Sequence, residues 1–441
     1  MGHSRSSGAL WKLPPSLRRN NGTKKNPESE VRSRKTEPCN SEDLIYHRRG
    51  AETRRKSSFC LTSASQRLGG DDAFPNSFER LRTSGSGHSF RGGIMRVRLL
   101  GRTGLKVSEL CLGTMTFGGV PGGHGAPGCD ETESLAILGA YLDQGGNFID
   151  TADGYADGRS EEILGKGLKG RRDDVVLATK VFFPAGVGAN RKGLSRKHIF
   201  ENIELSLRRL QTDYIDLYQI HCFDSHTPLE ETLSALDTLV RQGKVRYLGC
   251  SNFGGWQLAK ALGVSALHDY ARFDCLQPQY SMVSRAIERE ILPCCRAEGV
   301  GVIAYSPLAG GFLSGKYRSG EPAPPASRVA DSVPANRFWV ERNFTERNFA
   351  ILRAVEEASR RLGKTLGQVA VAWLLAMPGV TSAIIGARNL AQLHENLGAG
   401  DWDFPSEDWK ILDEASALPV EYPRDFQAFV ETLVHGDLAK H

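Results

Sequence analysis

The sequence predicts an α/β protein: one closed (β/α)8 barrel over residues 95–441, behind a leader of different character at 1–94. Two observations predict it. Eight short apolar runs of strand length recur along the chain, and stripes of helical period lie between them. Alternation of this kind calls for a parallel sheet with helices on its faces. Eight repeats over about 250–350 residues close such a sheet into a ring; an open doubly wound sheet is the other arrangement that fits the alternation.

Residues 1–94 are rich in Ser, Arg, Asn and Gly and show no sustained apolar period, so a disordered leader is expected. The leader carries 18 Lys+Arg against 9 Asp+Glu, and the remainder 38 against 42. The net charge of +5 therefore arises in the leader, and it gives no argument for nucleic-acid binding by the folded part. The first 27 residues contain no acid. That leaves a transit peptide as the alternative, although Gly and Pro interrupt any amphipathic helix. Met95 opens a segment with immediate strand character and is a candidate start.

The runs Val97–Leu100 and Leu105–Val107, split by Gly101-Arg-Thr-Gly104, read as a hairpin ahead of the barrel. The expected barrel strands are Glu109–Thr114, Asn147–Asp150, Val175–Lys180, Tyr214–His221, Val245–Ser251, Phe273–Gln277, Val300–Tyr305 and Ser382–Gly386. Between them, Asp130 with Glu133 forms a capping pair before Leu135, Leu138 and Leu142. Ser195 caps the stripe Ile199, Ile203, Leu207 and Leu210, and Pro228 opens the stripe Leu229, Leu233, Leu236 and Val240. No run of about 18 apolar residues suggests a membrane span. The nine cysteines show neither a C-x-x-C pair nor metal-ligand spacing, so reduced thiols, a cytoplasmic location and no metal are expected.

Two motifs mislead. Gly165-Lys-Gly167-Leu-Lys-Gly170 matches G-x-G-x-x-G, but the mechanism of that pattern needs a strand before it and a helix after it. Here a helix precedes and a strand follows, so the glycines read as a helix exit. Gly310-Gly-Phe-Leu-Ser-Gly315-Lys316-Tyr317 resembles a phosphate-binding P-loop, yet Tyr317 stands where a magnesium-binding Ser or Thr hydroxyl is required, and no helix clearly follows.

Four expected strands end on reactive or charged residues: Phe148-Ile-Asp150 leading to Tyr155, Ala178-Thr-Lys180, Tyr218-Gln-Ile-His221, and Gly249-Cys-Ser251-Asn252. Alone, Asp150 reads equally as a turn cap, Lys180 as a snorkelling side chain and His221 as a satisfied core histidine. Together they aim at one mouth, because the C-terminal strand ends of a (β/α)8 barrel carry its active site.

On these segments the sequence resembles the aldo-keto reductase family over nearly all of residues 95–420, and that family implies a TIM barrel. The resemblance rests on Gly113-Thr-Met-Thr-Phe-Gly-Gly119, Phe148-Ile-Asp-Thr-Ala-Asp-Gly-Tyr155 with Gly158-Arg-Ser-Glu-Glu-Ile-Leu-Gly165, Asp213-Tyr-Ile-Asp-Leu-Tyr-Gln-Ile-His221, Ala304-Tyr-Ser-Pro-Leu-Ala-Gly-Gly311 and Ile385-Gly-Ala-Arg-Asn-Leu-Ala-Gln-Leu-His-Glu-Asn396. The wording is closest to the aryl-alcohol-dehydrogenase-like and potassium-channel-beta-like branches. The resemblance implies an NADPH-dependent oxidoreductase that reduces aldehydes or ketones to alcohols, or a cofactor-sensing regulatory subunit with slow turnover on the same barrel. It implies a catalytic tetrad of Asp150, Tyr155, Lys180 and His221. Tyr155 would be the general acid, with its pKa of ~10 lowered by a neighbouring Lys180 cation. Asp150 would hold the lysine, and His221 would orient the carbonyl.

Cofactor residues follow from the same resemblance. Gly113, Thr114 and Met115 would border the nicotinamide. Asp150, Ser251, Asn252 and Gln277 would hold its carboxamide, and Tyr305 would stack on the ring. Ser306, Pro307, Leu308, Gly310 and Lys316 would line the pyrophosphate of NADPH or NADP+. Arg388, Gln392 and Asn396, in the first turns of the last barrel helix, would meet the 2′-phosphate and adenine. The Lys-Ser pair common in the family here is replaced by Gly386-Ala387, so Arg388 must carry more of the NADPH preference. The loops Gly118–Gly128 and Arg318–Asn343 are expected to wall the pocket of a small-molecule carbonyl substrate.

Overall fold

A computed structural model describes residues 95–119, 128–325, 327–330 and 334–436. The leader expected at 1–94 and residues 120–127 of the pocket loop lie outside the described residues.

The hairpin forms as expected, from β1 (Val97–Leu99) and antiparallel β2 (Lys106–Ser108), with Val97 opposite Ser108. Eight parallel strands follow: β3 (Leu110–Gly113), β4 (Phe148–Asp150), β5 (Val176–Val181), β6 (Ile215–Ile220), β7 (Val245–Ser251), β8 (Phe273–Gln277), β9 (Gly301–Ala304) and β10 (Val380–Ile385). Each pairs with the next, and β10 closes the ring on β3 through Ala383 opposite Leu110. The closed ring settles the choice against an open sheet, and every expected strand lies within two residues of its observed bounds.

Helices α1 (Glu131–Asp143), α2 (Arg159–Gly167), α3 (Arg196–Leu210), α4 (Leu229–Arg241), α5 (Gly255–His268) and α6 (Ile291–Glu298) each follow one of β3 to β8. Between β9 and β10 stand α7 (Pro334–Glu341), α8 (Glu346–Leu362) and α9 (Leu366–Leu375); α10 (Leu390–Leu397), α11 (Ser406–Ser416) and α12 (Arg424–His435) end the chain. Asp130 and Ser195 cap α1 and α3 by accepting the backbone N–H three residues on. The glycines of the G-x-G-x-x-G match belong to the exit of α2. A Cβ on Gly165 would sit 2.4 Å from the Arg209 carbonyl oxygen, so the glycine lets α2 and α3 approach closely.

The apolar residues separate into two bodies. The larger lies between strands and helices, where Ile137, Ile203, Leu236 and Val355 pack on outward residues such as Leu112, Leu177 and Ile220. The smaller fills the inside of the barrel at its N-terminal end. There Leu100, Leu105 and Val107 of the hairpin region meet Cys111, Phe148, Val176, Leu217, Cys275 and Ile303. The hairpin thus plugs one end of the ring, and polar side chains crown the other. Among the described residues, no helix is long and apolar enough to cross a membrane.

Candidate active site

Strand periodicity places the polar crown. Successive side chains alternate between the two faces of a strand, so an inward residue is followed by another two positions on. Inward Phe148 therefore predicts inward Asp150; Val176 and Ala178 predict Lys180; Leu217 predicts Gln219, with His221 just past the strand end; and Cys275 predicts Gln277. The apolar members sit at the plugged end and the polar ones at the mouth.

Lys180 is completely buried. Its ammonium donates to Asp150 Oδ1 at 2.5 Å, to the Thr151 carbonyl at 2.7 Å and to the Tyr155 hydroxyl at 3.3 Å. Asp150 Oδ2 accepts from Gln219 Nε2 at 2.9 Å and from Gln277 Nε2 at 2.8 Å. Both carboxylate oxygens are therefore engaged by the chain itself. Burial works against the lysine cation, but Asp150 and then Tyr155 outweigh it, and the pKa stands above its ordinary value. Burial also raises the Tyr155 pKa, and the opposing pull of Lys180 does not cancel it. This corrects the expectation of a lowered phenol pKa: removing the ring from water costs the phenolate more than one cation returns. The pair stays an ammonium beside a phenol.

The His221 ring stands edge-on to Tyr155, with centroids 5.9 Å apart, and to Phe183 at 4.8 Å. Burial, then Lys180, holds its pKa well below the ordinary histidine value, so the imidazole is neutral. Its Nδ1 is buried and has no hydrogen-bond partner among the described residues. Of the two adjacent phenylalanines, exposed Phe183 faces His221, while Phe182 packs on the core. Asn252 Nδ2 donates to the His221 carbonyl at 2.9 Å and to Ser251 Oγ at 3.1 Å; Tyr305 donates its hydroxyl to Asn252 Oδ1 at 2.9 Å. Ser251 Oγ donates to the Gln277 carbonyl. The Thr114 hydroxyl is turned inward to the Asp150 carbonyl and Ser160, whereas Met115, after β3 and Gly113, is exposed.

Past β9 the chain makes a sharp bend in which Ser306, Ala309, Gly310 and Gly311 all have left-handed φ, with Pro307 and Leu308 between them. Lys316 folds back over it: a Cβ on Gly311 would lie 2.6 Å from Lys316 Nζ. Burial, then Arg388 and Arg328, lowers the Lys316 pKa, so three cations share this corner, with Glu395 as the opposing charge. Arg328 was not foreseen from the sequence, because it lies in a loop with no period to mark it. Gln219 also escaped notice, although it stands two residues before His221 on the same face of β6.

Of the last three expected residues, Gln392 lies in the first turn of its helix as read from the sequence, and the other two are placed differently. Arg388 precedes α10, whose N-cap is Asn389, and Asn396 lies in its last turn rather than its first turns. Gln392 Oε1 accepts from the Arg388 backbone N–H, and Asn396 Nδ2 donates to the Gly386 carbonyl. Gln392 and Asn396 thus hold the bend that presents Arg388. Among the described residues, no cluster of three or more His, Cys, Asp or Glu could hold a metal ion.

Residues 109–417 match the aldo/keto reductase family. The chain is 39% identical over 331 residues to the uncharacterized oxidoreductase YrpG of Bacillus subtilis, covering 73% of this chain and 95% of that one. It is 38% identical to a probable voltage-gated potassium channel subunit beta of Arabidopsis thaliana, covering 70% and 92%, and 37% identical to the aldo-keto reductase YhdN of Bacillus subtilis, covering 72% and 94%. The chain belongs to the aldo/keto reductase family of oxidoreductases.

Proposed function

We propose that the protein is an NADPH-dependent carbonyl reductase, working in the cytoplasm, that converts aldehydes or ketones to alcohols. The observation that carries this reading is the buried chain from Asp150 through Lys180 to the Tyr155 hydroxyl, beside neutral His221 at the barrel mouth. The residues present fit a phosphorylated dinucleotide. Lys316, Arg328 and Arg388 gather positive charge at one corner, which suits a 2′-phosphate and pyrophosphate better than an uncharged ligand.

When bound, the cofactor supplies the hydride that reaches the carbonyl carbon. The chain's task is the proton. Tyr155, kept protonated by burial, donates its hydroxyl hydrogen to the carbonyl oxygen. Lys180 lies where it steadies the negative charge left on the phenol oxygen, and Asp150 holds the lysine in line with help from Gln219 and Gln277. His221, being neutral, orients the carbonyl by hydrogen bonding rather than acting as a cationic acid. Tyr305, whose hydroxyl is held by Asn252, would stack on the nicotinamide ring.

The test is NADPH oxidation, followed by absorbance, against a panel of aliphatic and aromatic aldehydes and ketones. Oxidation that depends on the added carbonyl supports the reading; NADPH binding without such turnover on any panel member overturns it. That second outcome would favour a cofactor-sensing regulatory subunit, a reading supported by the relatives described as probable potassium channel beta subunits.

A further inference from the structure

The loop that carries Tyr155 has a shape its own residues disfavour. Immediately after Tyr155, Ala156 and Asp157 have φ of 48° and 55°, and Gly158 has φ of 93°. Left-handed backbone costs roughly 1–2 kcal/mol for a residue with a Cβ, and it persists only where the surroundings over-determine it.

Here the surroundings converge on one side chain, Arg209 in the last turn of α3. Its guanidinium lies against Gly158 so closely that a Cβ there would fall 2.1 Å from Cζ. One nitrogen, Nη1, donates to the Asp153 carbonyl and to Glu161 Oε2, both at 3.1 Å, while Nη2 reaches toward the Asp157 carbonyl at 3.5 Å. Glu161, on α2, is fully buried, and its other oxygen accepts from the Thr179 hydroxyl at 2.7 Å. Thr179 is the outward neighbour of Lys180 on β5. A continuous path therefore runs from the backbone on both sides of Tyr155, through Arg209 and Glu161, to the strand that presents Lys180. It passes behind the reacting atoms without touching them.

We infer that Arg209, oriented by Glu161, is a positioning residue that fixes the Tyr155 hydroxyl against the Lys180 ammonium. The planar fork matters, because acceptors on three different residues surround one guanidinium; a lysine at the same place is a point charge without that fan of donors. The inference rests on Tyr155 as the proton donor, so Tyr155→Phe accompanies every measurement.

Arg209→Lys and Glu161→Gln, the second nearly isosteric, are compared with the wild-type enzyme for kcat, NADPH affinity by fluorescence and melting temperature. The solvent deuterium isotope effect on kcat is measured in parallel. A displacement of about 1 Å from productive geometry can cost ~10²-fold. Both variants should therefore lose roughly ten- to a hundred-fold in kcat, with NADPH affinity within about twofold of wild type. The solvent isotope effect should rise as proton delivery becomes limiting, and millimolar guanidinium should restore part of the kcat lost in Arg209→Ala. Loss of kcat in parallel with cofactor affinity, without a change in isotope effect and without rescue, would mean that Arg209 only stabilises the fold and would overturn the inference. So would unchanged kcat in both variants alongside an inactive Tyr155→Phe. If Tyr155→Phe itself keeps its kcat, the proton-donor reading has failed, whatever Arg209 does.

Discussion

Tyr155 is the residue on which the proposed chemistry turns, and phenylalanine there keeps the ring, its packing against His221 and the loop backbone. Tyr155→Phe should lower kcat by at least 10²-fold while NADPH titration stays within about twofold, because a positioned acid is worth ~10²–10⁴ in rate. Two positions earlier, Asp153 is buried, and among the described residues neither carboxylate oxygen has a hydrogen-bond partner of good geometry. Burial and then Glu161 push its pKa up to about 7 from 3.8. Between about pH 4 and pH 7 the folded protein therefore holds a proton that the unfolded chain has released, and stability falls as pH rises through that window. Asp153→Asn should remove this slope: its stability, followed by thermal denaturation, would match wild type near pH 4 and exceed it at pH 8 by about 4 kcal/mol, since each pH unit of the window is worth ~1.4 kcal/mol. Arg388→Ala should weaken NADPH about ten- to a hundredfold, since one charge-assisted contact is worth ~1.5–3 kcal/mol. NADH, without the 2′-phosphate, should be affected little; equal loss of both would assign Arg388 to the α10 bend instead. Asp150, Tyr155, Lys180 and His221 were legible in the sequence because each sits at or just beyond the end of an apolar run. Arg209 and Glu161 were not, because both lie on ordinary amphipathic helices and acquire meaning only when α2 and α3 pack.

Helices and strands obey the same division between local signal and long-range packing. The barrel strands could be read because a strand covered on both faces is apolar along nearly its whole length. The start of α10 was placed too early because Asn389, its N-cap, is one polar residue among several and the helix behind it is only 8 residues long. A pair of glycines shows where local propensity stops deciding. Glycine within a helix costs about 1 kcal/mol relative to alanine. Among the described residues, nothing lies within 4 Å of a Cβ added at Gly139 in α1, so Gly139→Ala should raise the melting temperature by about the amount this propensity implies. Gly165 in α2 has the Arg209 backbone at 2.4 Å, where no Cβ fits. Gly165→Ala should lower the melting temperature and, by pushing α3 away, reduce kcat as well. Thermal denaturation of the two variants side by side checks the contrast.

At the scale of the whole molecule, residues 1–94 carry the basic excess and their sequence has no apolar period. A chain beginning at Met95 should keep its melting temperature and NADPH affinity, and a large fall in either would show that the leader packs on the barrel. The ring itself has a consequence for synthesis on the ribosome. β3, the first barrel strand made, has β10 as one of its two neighbours, and β10 is the last strand made. At ~5–20 residues per second the gap between them takes on the order of tens of seconds to translate. For that time one edge of β3, with its row of unsatisfied amide and carbonyl groups, has no partner within its own chain. An exposed edge of this kind invites pairing with other nascent chains. The growing polypeptide should therefore depend on chaperones until Val380–Ile385 clears the exit tunnel and the circle shuts.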